Sequence, residues 1–305
     1  MKKRTKRNYQ FPWQKPKSKL EDPNAPRQIK EIMKSPSYQL LEENISFITS
    51  DEARGIRLQL DYLRAEVKMR EYHIDHTIVV FGSSRIIEYD SALKKLKEIE
   101  KALEKSPRSK KLLAELSTAE KMVKKSVYYD EARKFGRLVG ESGKGPEDCR
   151  LALMTGGGPG IMEAANRGAF DVGAKSIGLN IELPHEQYPN PYITPDLCFQ
   201  FHYFAIRKLH FAQRAKALVI FPGGLGTMDE LFEILTLIQT QKTPSIPVIL
   251  ISKKYWQNAV NFDFLREEGV ITQDDLEIFT VVENAQEAWK EIRQWYKDND
   301  IFELR

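Results

Sequence analysis

Residues 222–230 read PGGLGTMDE and bring together backbone freedom, a hydroxyl and carboxylates in one short stretch. Pro222, Gly223, Gly224 and Gly226 form a turn. Thr227 is placed to cap the following helix and to bond a phosphate oxygen, and Asp229, Glu230 and Glu233 come just after it. Two other glycine turns have the same setting, directly behind apolar runs that read as strands. One is Gly82-Ser83-Ser84-Arg85; the other is Gly156-Gly157-Gly158-Pro159-Gly160-Ile161-Met162. Glycine lets a backbone turn tightly and approach a phosphate closely, while the N-terminus of the next helix favours negative charge. A single turn of this kind is weak evidence. Three on the same edge of one sheet point to an anion cradle at the carboxyl ends of its strands. Acids in a first helical turn also complement the helix dipole, which accounts for Asp229 and Glu233. Arg207-Lys208 lies in the helix preceding the strand that delivers the third turn. From there Arg207 is either an ordinary surface charge or a cation aimed over the carboxyl end.

The spacing also excludes chemistry. Neither later turn spells G-x-G-x-x-G, and Gly143-Lys144 lacks the rest of a G-x-x-x-x-G-K-[ST] loop, so a mononucleotide fits better than a dinucleotide or a hydrolysed triphosphate. The five histidines and two cysteines, Cys149 and Cys198, show no metal-ligand spacing, and no metal or cofactor is expected. Two cysteines make no disulfide framework, no apolar run reaches membrane-spanning length, and the N-terminus lacks the apolar segment of a secretory signal; a cytoplasmic protein is expected. Net charge is +4, and Lys2, Lys3, Arg4, Lys6 and Arg7 crowd one end. Such a block reads as a solvated arm over residues 1–25 rather than a nucleic-acid contact.

The elements that must position these turns follow an α/β rhythm. Strand-like runs lie at 77–81, 151–154, 176–181, 217–221, 247–251 and 279–282, most of them continuously apolar, as buried parallel strands are. Gly178 and Asn180 make 176–181 the weakest. Helical patterns fall between them at 128–141, 161–172, 204–216, 227–240 and 285–296. The alternation predicts a doubly wound, Rossmann-like parallel sheet spanning residues 76–305. Residues 26–75 form an N-terminal helical extension, in which Ser50 and Asp51 can cap a helix whose stripe Ile56, Leu60, Leu63 and Val67 packs on the main domain or a second subunit. Within the sheet domain, 90–127 breaks the rhythm. Leu93, Leu96, Ile99 and Leu103 make one stripe, Leu112, Leu116, Ala119 and Met122 another, and residues 106–109 turn between them, so an inserted helical hairpin is predicted.

Taken together, these motifs resemble the LOG proteins, cytokinin riboside 5′-monophosphate phosphoribohydrolases long labelled lysine decarboxylases. The family marker P-G-G-x-G-T-x-x-E is matched by Pro222, Gly223, Gly224, Gly226, Thr227 and Glu230. A second marker, G-G-G-x-G-x-M, is matched from Gly156 to Met162, and the family's Arg-Lys pair by Arg207-Lys208. Segments 178–192 and 231–240 look like the longer, bacterial branch, and the likeness runs from about 77 to 296. The hairpin and the N-terminal extension depart from the compact family core. No lysine sits in a pyridoxal-phosphate context.

The resemblance implies hydrolysis of the N-glycosidic bond of a purine nucleoside 5′-monophosphate, AMP or an N6-modified relative, to free base and ribose 5-phosphate. It further implies a substrate-binding set: Gly82, Ser83, Ser84, Gly157, Gly158, Gly160, Met162, Lys208, Pro222, Gly223, Gly224, Gly226 and Thr227. Glu230 would stabilise the oxocarbenium-like sugar or activate water, and Arg207 would ease departure of the base electrostatically. Glu182 is a weaker candidate for base recognition. The resemblance also implies a homodimer or larger assembly. Leu231, Leu235 and Ile238 serve that interface or the chain's own core. A non-catalytic nucleotide carrier is the alternative, and a carboxylate beside an anionic ligand favours the enzyme.

Overall fold

Seven parallel strands make one sheet in the order β4-β3-β2-β1-β5-β6-β7, as seen in a computed structural model that describes residues 15–142, 151–184 and 188–299. In chain order the elements are α1 (Ala25–Lys34), α2 (Ile45–Ile48), α3 (Arg54–Glu71), β1 (His76–Phe81), α4 (Tyr89–Lys105), α5 (Lys110–Lys125), α6 (Val127–Ser142) and β2 (Leu151–Thr155). There follow α7 (Ile161–Asp171), β3 (Ser176–Ile181), β4 (Cys198–Phe201), α8 (Phe204–Gln213), β5 (Ala215–Ile220) and α9 (Leu225–Gln239). The rest are β6 (Val248–Ile251), α10 (Lys253–Ala259), α11 (Phe262–Glu267), α12 (Gln273–Leu276), β7 (Phe279–Val282) and α13 (Ala285–Asp298). The basic block at residues 2–7, Gly143-Lys144, Cys149 and residues 185–187 lie outside the described residues.

The sheet is covered on both faces, which is why its strands are apolar at successive positions. In β1, Ile78 and Val80 join a core built with α6, α7 and α13, while Val79 and Phe81 join one built with α3, α8 and α9. β5 repeats this: Ala217 and Val219 face one way, Leu218 and Ile220 the other. Strands added on one side run β1 to β4; the chain then returns to place β5 against the free edge of β1. The resulting crevice between β1 and β5 is the topological switch point of the sheet, where ligands of open α/β folds bind.

Two expectations need correction, and a third is narrowed. β4 was not anticipated: CFQF is short, and exposed Gln200 interrupts its apolar residues. The 204–216 helix ends at Gln213, because Ala215 already pairs with Thr77 in the sheet. The stripe Ile56, Leu60, Leu63 and Val67 is exposed in the single chain, which leaves the expected packing on a second subunit open; what α3 buries is Ala65, Glu66 and Met69, a row hidden in the sequence among charged neighbours.

The inserted segment is a helical hairpin, with α4 and α5 packed chiefly on one another and Ser109 accepting from Leu112 N at 3.3 Å to start the second helix. The chain divides into two compact units, Met1–Leu60 and Asp61–Arg305. In the first, Asn44 caps α2 by accepting from Phe47 N at 3.1 Å. The second holds the sheet.

Candidate active site

The three glycine turns follow β1, β2 and β5, neighbours at the centre of the sheet, and backbone bonds tie them together. Phe221 N donates to Phe81 O at 2.9 Å, Ser83 N to Pro222 O at 3.0 Å and Ile161 N to Ser83 O at 3.1 Å. Between the turns lies a cavity of about 550 Å³. Gly82, Ser83 and Ser84 line it from β1, Gly156 and Met162 from the β2 side, and Gly224, Gly226 and Thr227 from the β5 side.

The β5 side carries the residues expected to cradle an anion. α9 begins at Leu225 after Gly224, which offers no side-chain cap, so first-turn N–H groups point out unsatisfied by the helix itself. A methyl group at Gly224 or Gly226 would meet nothing within 4 Å; both face open space. Gly223 is different, since a Cβ there would lie 2.0 Å from Thr227 Oγ1. Thr227 is therefore not the helix cap that its position suggested. It sits inside the first turn, buried, folded over Gly223. Pro222 and Gly223 frame the turn through their carbonyls, the latter accepting from Tyr255 OH.

Gly157, Gly158 and Gly160 shape the β2 turn from behind the cavity wall. Gly157 has φ +71°, and a Cβ on it would fall 1.9 Å from Asn180 Oδ1. Gly160 has φ +75° and packs against the backbone of Ser83 and Ser84. A buried asparagine cluster holds this turn: Asn190 donates from N to Gly157 O at 2.9 Å and from Nδ2 to Gly158 O at 3.1 Å. Asn166 Oδ1 accepts from Asn190 Nδ2 at 3.0 Å and from Thr155 Oγ1 at 2.7 Å. The sequence reading missed Thr155, Asn166 and Asn190. The one available signal was polar residues in segments otherwise fit for burial.

Arg207 and Glu230 meet at the cavity. Arg207 Nη2 donates to Glu230 Oε1 at 3.1 Å, with side chains only 13% and 6% exposed. The guanidinium lies over the rings of Phe204 and Phe211, 5.1 and 5.3 Å from their centroids, and its Nε is buried without a hydrogen-bond partner among the described residues. Burial pushes the Glu230 carboxyl up to about 7, against the pull of Arg207 and then Lys208. Burial also lowers the Arg207 guanidinium, which Glu230 counteracts. The site therefore holds a carboxylate that changes charge near neutrality beside a fixed cation.

Lys208 does not join them. Its ammonium turns to Asp229 Oδ2 at 2.8 Å and Glu233 Oε2 at 2.9 Å, giving those acids a partner besides the helix dipole. Glu182 lies outside the lining, paired with exposed His202 at 2.6 Å. Arg85, named in the first turn but given no binding role, also lines the cavity. With Ser84 it also borders a groove of about 880 Å³ against α4 and α5, so the inserted hairpin flanks the cavity mouth. Leu231 and Ile238 are buried in the chain's own core. Among the described residues, no group of three or more His, Cys, Asp or Glu gathers as a metal site, and no helix is long and apolar enough to cross a membrane.

Comparison with known proteins bears on these residues. A family model described as "Possible lysine decarboxylase" matches residues 162–292, which include Arg207 and Glu230. A probable cytokinin riboside 5′-monophosphate phosphoribohydrolase, LOG4 of Oryza sativa subsp. japonica, is 30% identical over 157 residues, covering 50% of this chain and 67% of that protein. The phosphoribohydrolase LOG3 of Arabidopsis thaliana is 28% identical over 178 residues, covering 56% and 77%. The rice enzyme LOG is 25% identical over 182 residues, covering 58% and 71%.

Proposed function

The chain belongs to the LOG family, and from that premise we propose that it hydrolyses the N-glycosidic bond of purine nucleoside 5′-monophosphates, giving free base and ribose 5-phosphate. The observation that carries this reading is the buried Arg207–Glu230 pair one helical turn inside an anion cradle. The 5′-phosphate docks on the first-turn N–H groups at Gly224, Leu225 and Gly226, with Ser83, Ser84 and Arg85 across the cavity. C1′ then lies toward Glu230. As the C1′–N bond breaks, its electron pair leaves with the base. Arg207 stays protonated and stabilises that developing negative charge. Glu230, as carboxylate, stabilises the cationic sugar and takes a proton from the attacking water, whose oxygen bonds to C1′. The base is protonated from solvent, so one water is consumed per bond cleaved.

The relatives' names point to cytokinin nucleotides, and an N6-modified purine belongs within the proposed substrate class beside AMP. We place the protein in the cytoplasm as at least a homodimer. Exposed Phe204, Leu209, Leu225 and Phe232 on α8 and α9 support the dimer, which light scattering tests.

The direct test incubates the protein with AMP, GMP and N6-isopentenyl-AMP and measures free base and ribose 5-phosphate, beside Glu230→Gln. The wild type should release base, and the variant should lose about 100-fold or more in rate. Tight nucleotide binding with no base released by the wild type would make the protein a carrier instead.

A further inference from the structure

The helix that presents Arg207 does not cap itself. Tyr203 at the N-cap of α8 offers no side-chain bond to the first turn, and His202 and Tyr203 instead donate their N–H groups to Asp61 Oδ2, at 3.0 and 3.3 Å. Asp61 lies on α3, far away in the sequence, and its side chain is only 12% exposed. Tyr203 O in turn accepts from Arg207 N at 3.2 Å, so the carboxylate of Asp61 fixes the turn that carries the guanidinium. The same stretch of α3 holds the other end of α8. Glu66 binds the guanidinium of Arg214 with both oxygens, the second at 2.8 Å, and Tyr62 stacks on buried His210 at 5.0 Å between centroids.

We propose that Asp61 is a positioning residue for the reaction: capping α8 from another helix, it sets the reach of Arg207 to Glu230 and to the substrate. This rests on the function proposed above. Within α8 itself the guanidinium is not anchored: Arg207 Nε has no hydrogen-bond partner among the described residues, its contacts are the Phe204 and Phe211 rings and the Nη2 bond to Glu230, and the cap sets where along the turn that bond is made. The charged groups that act on Glu230 are Arg207 and Lys208 from α8, and Asp229 and Glu233 from its own helix. Only the α8 pair moves if the cap is lost. Both of its members are cations, so retreat of α8 leaves the carboxyl harder to ionise.

The test compares Asp61→Ala and Asp61→Asn with Glu66→Gln, which loosens the far end of α8 without touching Arg207's turn. Kinetics with AMP are followed across pH, together with the carboxyl titration of Glu230 by NMR on ¹³C-glutamate-labelled protein, assigned through Glu230→Gln. Asp61→Ala should lower kcat about ten-fold with KM within about two-fold, because the phosphate cradle is on α9. Its Glu230 titration and the acid limb of kcat/KM should both move to higher pH. Asp61→Asn keeps an acceptor oxygen for both N–H groups and should restore both. Glu66→Gln should lower thermal stability with the titration unmoved. Asp61→Ser, whose hydroxyl is too short to serve both amides, replaces the alanine variant if that one fails to fold. A Glu230 titration identical to wild type in the capless variant, with only stability lost, overturns the proposal. Wild-type protein that releases no base overturns the proposed function, and the titration then decides only whether Asp61 sets the Arg207–Glu230 geometry.

Discussion

A carboxyl group buried beside a buried guanidinium is held by two opposed effects, and at Glu230 burial wins. The sign has consequences for both activity and stability. In the folded protein the group ionises near 7, whereas its ordinary value is 4.5. Activity that needs the carboxylate should therefore rise with pH through about 7, and a pH–rate profile of kcat/KM with AMP checks this. Stability runs the other way: between 4.5 and 7 the unfolded chain releases a proton that the folded one keeps, so the native state loses ground as pH rises. Glu230→Gln, a permanent mimic of the neutral acid, should melt higher than wild type at pH 8 and together with it near pH 4, as read by calorimetry.

The glycines divide in the same physical way. Gly226→Ala should fold like wild type, because its methyl enters open space, but raise KM for AMP several-fold by crowding the cradle. Gly157→Ala meets both a positive φ and the Asn180 carboxamide, and should cost about 2 kcal/mol or more in urea unfolding.

At the scale of elements, each turn is as good as what stands behind it. The β2 turn rests on Asn166, whose replacement by Ala leaves Thr155 Oγ1 and Asn190 Nδ2 without their shared acceptor. The expected loss is about 1–3 kcal/mol in urea unfolding, the usual penalty for stranding buried polar groups. This buttress was not legible beforehand, because its bonds join residues from separate elements and leave no periodic trace. The glycine turns were legible because tight turns leave glycines in the chain itself, next to apolar strands. Helix ends were less so: the α8–β5 junction falls within Gln213–Ala217, residues that favour helix, and pairing of Thr77 with Ala215 overrides that preference. Short α10, α11 and α12 went unread for want of enough turns to show a period. Lys208 shows the limit of reading pairs together. Adjacent positions on a helix point about 100° apart, and so Arg207 enters the cavity while Lys208 reaches the acids outside it.

For the whole molecule, the alternation of apolar runs and helical stripes made the parallel sheet legible, while strand order is set by pairings that leave no mark in the sequence. That order matters for more than where a ligand sits. The cavity walls come from β1, β2 and β5, and β1 must hold its place while several later elements are laid down before β5 pairs with it. Sequence-distant pairing is the slow part of folding. The proposed activity then becomes a clock for the β1–β5 pairing. On dilution from urea, helical circular dichroism should return first, and base release from AMP only in a later phase. Helix signal and activity returning together would mean that the central pairing is already made when the helices form.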